Sequence, residues 1–115
     1  MPQSAPVYRF GHFRVDTREQ LLTREGSAIP ITPQVFDTLV AFLRNPGRLL
    51  TKDDLLQAIW PDTAVEEANL TVNVSTLRRL LSAKGQPPCI ETVPRRGYRF
   101  ILPVDVEVFS EPRAT

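Results

Sequence analysis

Arg95, Arg96 and Arg99 stand in one short segment with Thr92 and Tyr98, so three guanidinium groups and two hydroxyls share the run Thr92-Val93-Pro94-Arg95-Arg96-Gly97-Tyr98-Arg99-Phe100. A guanidinium offers a planar fork of donors that matches phosphate oxygens, and hydroxyls add positioning contacts to the same groups. Arginine is almost never fully buried unless it is paired, so the adjacent Arg95 and Arg96 belong at a surface. The Val-, Tyr- and Phe-rich runs flanking Pro94-Arg95-Arg96-Gly97 predict a small β-hairpin with these two arginines at its tip. The chemistry of such a tip is capture of a polyanion.

A second set of polar residues lies upstream, on a segment that predicts a helix from about Thr63 to Ser82. Thr63 and Glu66 have capping-box spacing at its start. At about 100° per residue, Leu70, Val74, Leu77 and Leu81 fall on one line, which is the core side. Ala68, Val72, Thr76 and Arg79 lie opposite, flanked by Asn69 and Ser75. Small side chains let a helix sit deep in a groove. Val72 can touch a thymine methyl, and Asn69, Asn73, Ser75 and Thr76 are donors and acceptors suited to base edges or phosphates. Arg78 and Arg79 add charge at the helix end. Taken alone, this is equally an ordinary amphipathic helix with a weakly polar surface. The basic hairpin some ten residues later tips the balance toward nucleic acid.

Other elements must position these two. Tyr8, Phe10, Phe13 and Val15 alternate with polar residues around Gly11, a break or bulge; Gln20–Arg24 and Ala28–Ile31 follow, separated by Glu25-Gly26. They predict a small antiparallel meander. Thr32-Pro33 opens a helix with Val35, Phe36, Leu39, Val40 and Leu43 as its buried stripe, and Asn45-Pro46-Gly47 ends it. A further helix starts at Thr51, with Asp53 and Asp54 in the dipole-favoured first turn and Pro61 as its stop. Thr51 and Lys52 at this helix N-terminus are either a phosphate site or a plain cap. Lys84–Pro88 reads as a loop, and Pro103 marks the end of regular structure.

Composition bounds the function. The 115 residues carry a net charge of only +1, but residues 69–100 hold six Lys/Arg against one acid, while residues 1–68 hold seven against nine. A near-neutral chain with one basic region steers polyanions by that region. The single cysteine, Cys89, excludes an internal disulfide and fits a reducing cytoplasm. His12 stands alone, which leaves no metal-ligand set. No Gly-rich phosphate loop, nucleophile motif or carboxylate pair appears, so neither catalysis nor a cofactor is expected.

In this order and spacing, four stretches resemble the winged helix-turn-helix output domains of OmpR/PhoB type. They are Ile31-Thr32-Pro33 with Phe36; Leu50-Thr51-Lys52 through Leu55, Leu56 and Trp60; Asn69-Leu70-Thr71-Val72-Asn73 through Leu77-Arg78-Arg79-Leu80-Leu81; and Thr92 through Phe100. The resemblance spans about Tyr8 to Val104, and the form of the last stretch is most similar to one-component regulators of the CadC/ToxR sort. It implies an α+β fold with an N-terminal antiparallel four-stranded sheet, three helices and a C-terminal hairpin wing. It also implies a sequence-specific double-stranded DNA-binding domain of a bacterial transcription regulator. The third helix would enter the major groove and the wing the adjacent minor groove. Where the family often bears arginines or a histidine, this chain has Asn73, Ser75 and Thr76, so Arg78, Arg79 and the wing are left to supply most of the affinity.

The expected organisation is a flexible segment 1–7, a winged-helix domain 8–104, and a linker or tail 105–115. The resemblance further implies pairing of two domains on DNA and a sensor or effector domain or membrane segment that follows; the loop 61–65, which related domains use to touch RNA polymerase, is here either that contact or a structural spacer. A competing function from another class is a winged helix that docks on a partner protein without binding DNA. Binding of RNA or single strands is a further rival, against which the scarcity of exposed aromatics argues.

Overall fold

The computed structural model describes residues 5–82 and 88–109. Four strands come first: β1 (Ala5–Phe10), β2 (Phe13–Asp16), β3 (Leu21–Arg24) and β4 (Ser27–Ile29). Gly11 does not bulge a single strand. It adopts φ 55° and, with His12, turns the chain between the paired residues Phe10 and Phe13. A Gly at the first central position of a two-residue hairpin loop supplies that positive φ without steric cost.

Helix α1 (Pro33–Leu43) begins as its sequence directs. The Thr32 hydroxyl accepts from the Val35 N–H at 3.4 Å, and Pro33 fills the first helical position. A short strand β5 (Leu49–Thr51) follows, and α2 (Lys52–Ile59) starts directly from it. Thr51 and Asp54 form a capping box: the Asp54 N–H donates to the Thr51 hydroxyl and the Thr51 N–H to the Asp54 carboxylate, each at 3.0 Å. Helix α3 (Glu67–Leu80) starts four residues later than the Thr63–Glu66 spacing predicts. Its N-cap is Glu66, with no side-chain cap bond, so the expected capping box is absent. Negative charge from Glu67 in the first turn and positive charge from Arg78 and Arg79 in the last still complement its dipole.

The wing is β6 (Ile90–Val93) and β7 (Gly97–Phe100), and it forms a three-stranded sheet in the order β5-β7-β6. A last strand, β8 (Asp105–Phe109), pairs antiparallel with β1 and makes the N-terminal sheet five-stranded, in the order β4-β3-β2-β1-β8. This corrects the expected four strands and the expected tail: residues 105–109 are strand, as are residues 5–7 of the segment expected to be flexible. The apolar-rich run Asp105–Phe109 has β propensity, and by pairing it satisfies the outer backbone groups of β1. Residues 1–4, 83–87 and 110–115 lie outside the described residues, and with them positions 84–87 of the predicted loop.

One core joins all the layers. Leu39, Phe42 and Leu43 of α1, Leu55 of α2, Leu70 and Leu77 of α3, and Phe100 of the wing are fully enclosed. Phe100 is the junction: its ring meets Phe10 edge-on at 5.1 Å and lies 6.3 Å from Phe42, which in turn meets Tyr98 at 6.4 Å. The wing is therefore anchored in the helical core by its own alternate residues.

Candidate nucleic-acid interface

Helix α3 shows the expected division of faces, with one exception. Leu70, Val74, Leu77 and Leu81 are buried, while Asn69, Ser75 and Arg79 are exposed and Thr76 is half-buried. Val72 is 61% exposed, so its apolar side chain is open to contact on the outward face, though a single exposed valine is ordinary at a protein surface. The exception is Asn73, which was expected among the readers of base edges. It is only 7% exposed, and its amide donates to the Thr38 hydroxyl of α1 at 3.2 Å. The buried arc of α3 is wider than the line of leucines, because α1 packs against its flank. A buried amide needs a partner, and Thr38 is that partner.

The wing tip is a tight turn. The Arg96 N–H donates to the Val93 carbonyl at 3.0 Å, with Pro94 at the second position and Arg95 at φ 67° in the third. This is the pattern of a type II turn, in which the third position usually belongs to glycine. Arg95 and Arg96 are both exposed. The next residue, Gly97, is held against β5: a β-carbon there would lie 2.0 Å from the Leu50 carbonyl oxygen.

Arg78 joins the helix to the wing. One of its terminal nitrogens donates to the Thr92 hydroxyl at 2.6 Å and to the Ile90 carbonyl at 3.3 Å. Its guanidinium lies 5.9 Å from the centre of the Tyr98 ring. Tyr98, expected to offer its hydroxyl to a phosphate, is buried and its ring packs in the core, whereas Thr92 is exposed. Three sequence-predicted residues thus belong to one cluster.

A groove runs between the wing tip and the start of α2 and α3, lined by Leu49, Thr51, Lys52, Asp53, Glu67, Arg95 and Arg96. Lys52 pairs with Glu67 at 2.5 Å, and the hydrogen bond and charge of Glu67 hold its ammonium above the usual lysine range. Thr51 is committed to the cap of α2. Glu67 is the residue that sequence reasoning missed. Only its place in the first turn of α3 marked it, because Lys52 lies fifteen positions away.

Elsewhere, His12 faces Glu25 at 3.5 Å. Among the described residues no group of three or more His, Cys, Asp or Glu is placed to hold a metal ion, and no helix is long and apolar enough to cross a membrane.

Residues 26–100 match the family described as "Transcriptional regulatory protein, C terminal". The chain belongs to this family. Its members are domains of transcription regulators, not enzymes. The chain is 33% identical over 101 residues to the transcriptional activator CadC of Escherichia coli, a match covering 86% of this chain and 20% of that protein. It is 34% identical over 115 residues to the transcriptional regulator HilA of Salmonella typhimurium, covering all of this chain and 21% of HilA. The chain thus spans about a fifth of the length of these relatives. Among solved structures, the DNA-binding domain of E. coli CadC superposes with a TM-score of 0.80 at 31% identity, covering 90% of this chain and 98% of that one. The fold is the winged helix of OmpR/PhoB type.

Proposed function

We propose that this domain binds double-stranded DNA sequence-specifically, with α3 in the major groove and the wing in the adjacent minor groove. One observation carries the reading. The small and polar exposed face of α3 is tied by Arg78 to a hairpin whose tip presents Arg95 and Arg96 to solvent. A helix of this kind fits a major groove, and arginines suit a narrow, electronegative minor groove. The CadC domain of the same fold, described as DNA-binding, supports the same reading. The proposed contacts are Asn69, Val72, Ser75, Thr76 and Arg79 on the helix, Arg95 and Arg96 on the wing, and Lys52 at the rim of the groove.

Selection from a random duplex library tests this directly. A recovered motif supports it, and failure to retain any duplex at moderate salt returns the domain to the class of protein-docking modules. Val72→Ala and Thr76→Ala should change the recovered motif, because both stand where base edges would lie. An unchanged motif in both variants would remove base reading from α3.

The loop 61–65 is proposed as the contact with RNA polymerase. It lines an open groove with Leu56, Gln57 and Trp60 on the side of α2. The greater length of the matched regulators supports a sensor or effector domain beyond this one, in a regulator whose DNA-binding part works in the cytoplasm. Two copies are proposed to pair on adjacent half-sites.

A further inference from the structure

We propose that Arg78 is a positioning residue that sets the angle between the reading helix and the wing, rather than a phosphate contact. The inference rests on the DNA-binding reading above and deepens it. Its basis is the way the guanidinium is used. The nitrogen that donates to Thr92 and to Ile90 spends both of its hydrogens on β6. Tyr98, which stands opposite Thr92 in the ladder, lies beneath the guanidinium. One side chain from the last turn of α3 therefore grips two strands of the wing at three points.

The wing needs such a grip. Strand β6 is the edge of its sheet, and the Ile90 carbonyl on that edge takes its hydrogen bond from Arg78. The wing backbone packs mainly on β5 and, more lightly, on α1. Besides the apolar core that it shares with α3, its polar link to that helix runs through the Arg78 side chain. Charge-assisted hydrogen bonds are roughly twice as strong as neutral ones. A hairpin held in this way presents Arg95 and Arg96 at a fixed distance from Val72 and Thr76, so that both grooves are engaged together.

Lysine separates the two roles. It keeps the positive charge a phosphate requires, but a single ammonium cannot hold both acceptors and lie flat on a ring. Arg78→Lys should weaken binding to the selected duplex by about tenfold, the loss expected for removing a charge-assisted bond. The salt slope of binding should be unchanged, since the count of neutralised phosphates is the same. Thr92→Val should weaken binding to a similar extent, and the double variant should be no weaker than the more affected single one. Hydroxyl-radical footprints should lose the minor-groove protection and keep that of the major groove. Wild-type affinity in Arg78→Lys, or a slope reduced by about one in Arg78→Ala with the wing footprint intact, would overturn the proposal in favour of a phosphate contact.

A readout without DNA keeps this test apart from that of the DNA reading. In the free protein, Arg78→Lys and Thr92→Val should each speed amide hydrogen exchange over residues 90–99 while leaving residues 70–77 protected. Unchanged exchange in the wing sinks the brace whether or not the domain binds a duplex. If the wild type binds no duplex, but the wing loosens as described, the brace stands and the DNA reading falls.

Discussion

Asn73 and Thr38 meet where α3 crosses α1, the amide nitrogen of one 3.2 Å from the hydroxyl of the other. Thr38 in turn donates to the Gln34 carbonyl at 2.8 Å, so its hydroxyl is satisfied from both sides. A polar pair within an apolar interface fixes the roll of α3 about its own axis, because rotation would strand both groups. Thr38→Val should destabilise the domain by about 1–3 kcal/mol, the cost of an unsatisfied buried amide, and Thr38→Val with Asn73→Leu should recover part of it. Urea unfolding measures both. Should Asn73→Ala leave stability untouched while abolishing binding, Asn73 reads bases after all.

Gly97 sets how closely the wing approaches β5. Any side chain there meets the Leu50 carbonyl, and its β-carbon would also fall 2.8 Å from the Thr51 α-carbon. Gly97→Ala should therefore part β7 from β5, at about 1–3 kcal/mol as for overpacking elsewhere. Since Thr51 is also the cap of α2, the loss should appear as a lower unfolding midpoint together with weaker protection of the Asp54 amide. A midpoint equal to wild type would mean that the two strands part without cost.

Much of this was legible in the sequence, and what was missed shares one cause. Thr32-Pro33 at the start of α1, the leucine line of α3 and the Pro-Arg-Arg-Gly tip are local signals, each decided by neighbouring residues. The wing arginines were therefore found without any knowledge of packing. Strands β5 and β8 were not, because each exists through a partner far along the chain: Leu50 opposite Tyr98, and Val106 opposite Tyr8. The same holds at the interface. Asn73 looks like a base reader by spacing alone, and only the position of α1 turns it into a core residue. Glu67 acquires a role only when α2 brings Lys52 beside it. Long-range pairing leaves little trace in periodicity.

Asp54 gives the domain an acid limb. The Thr51 N–H, and after it the Thr51 hydroxyl, hold the Asp54 carboxyl below the usual carboxylate range. A depressed folded pKa means that the stabilisation is present above the unfolded value and is lost as pH falls through the folded one. Asp37 works the other way, since burial raises its carboxyl and protonation then favours the folded state. Asp54→Asn should flatten the loss of stability on acidification, and Asp37→Asn should not. Thermal midpoints between neutral pH and the carboxylate range decide this. An acid limb unaltered by Asp54→Asn would remove the cap from the account.

Lys52 is tied to Glu67 at the mouth of the wing groove, so its charge is partly spent within the protein. Glu67→Gln should release it toward a phosphate. Binding should tighten across sequences, with a salt slope steeper by about one counterion. The pair is exposed, so the unfolding midpoint should change little. Weaker binding in Glu67→Gln would show instead that the carboxylate orients Lys52 productively.

Arg95 sits at φ 67°, where a residue with a β-carbon loses roughly 1–2 kcal/mol relative to the right-handed region. Its side chain is exposed and its neighbour Arg96 closes the turn, so only the backbone bears that strain. Arg95→Gly should raise stability by up to about 1 kcal/mol, since the gain in turn geometry is offset by a freer unfolded chain. The same change should weaken DNA binding and flatten the salt slope by about one, and Arg95→Ala with Arg96→Ala should flatten it by about two. Opposite movements of stability and affinity at one position would show that the guanidinium is kept there for a partner. If Arg95→Gly gained stability and bound duplex with undiminished affinity and slope, the wing tip would have to be removed from the interface.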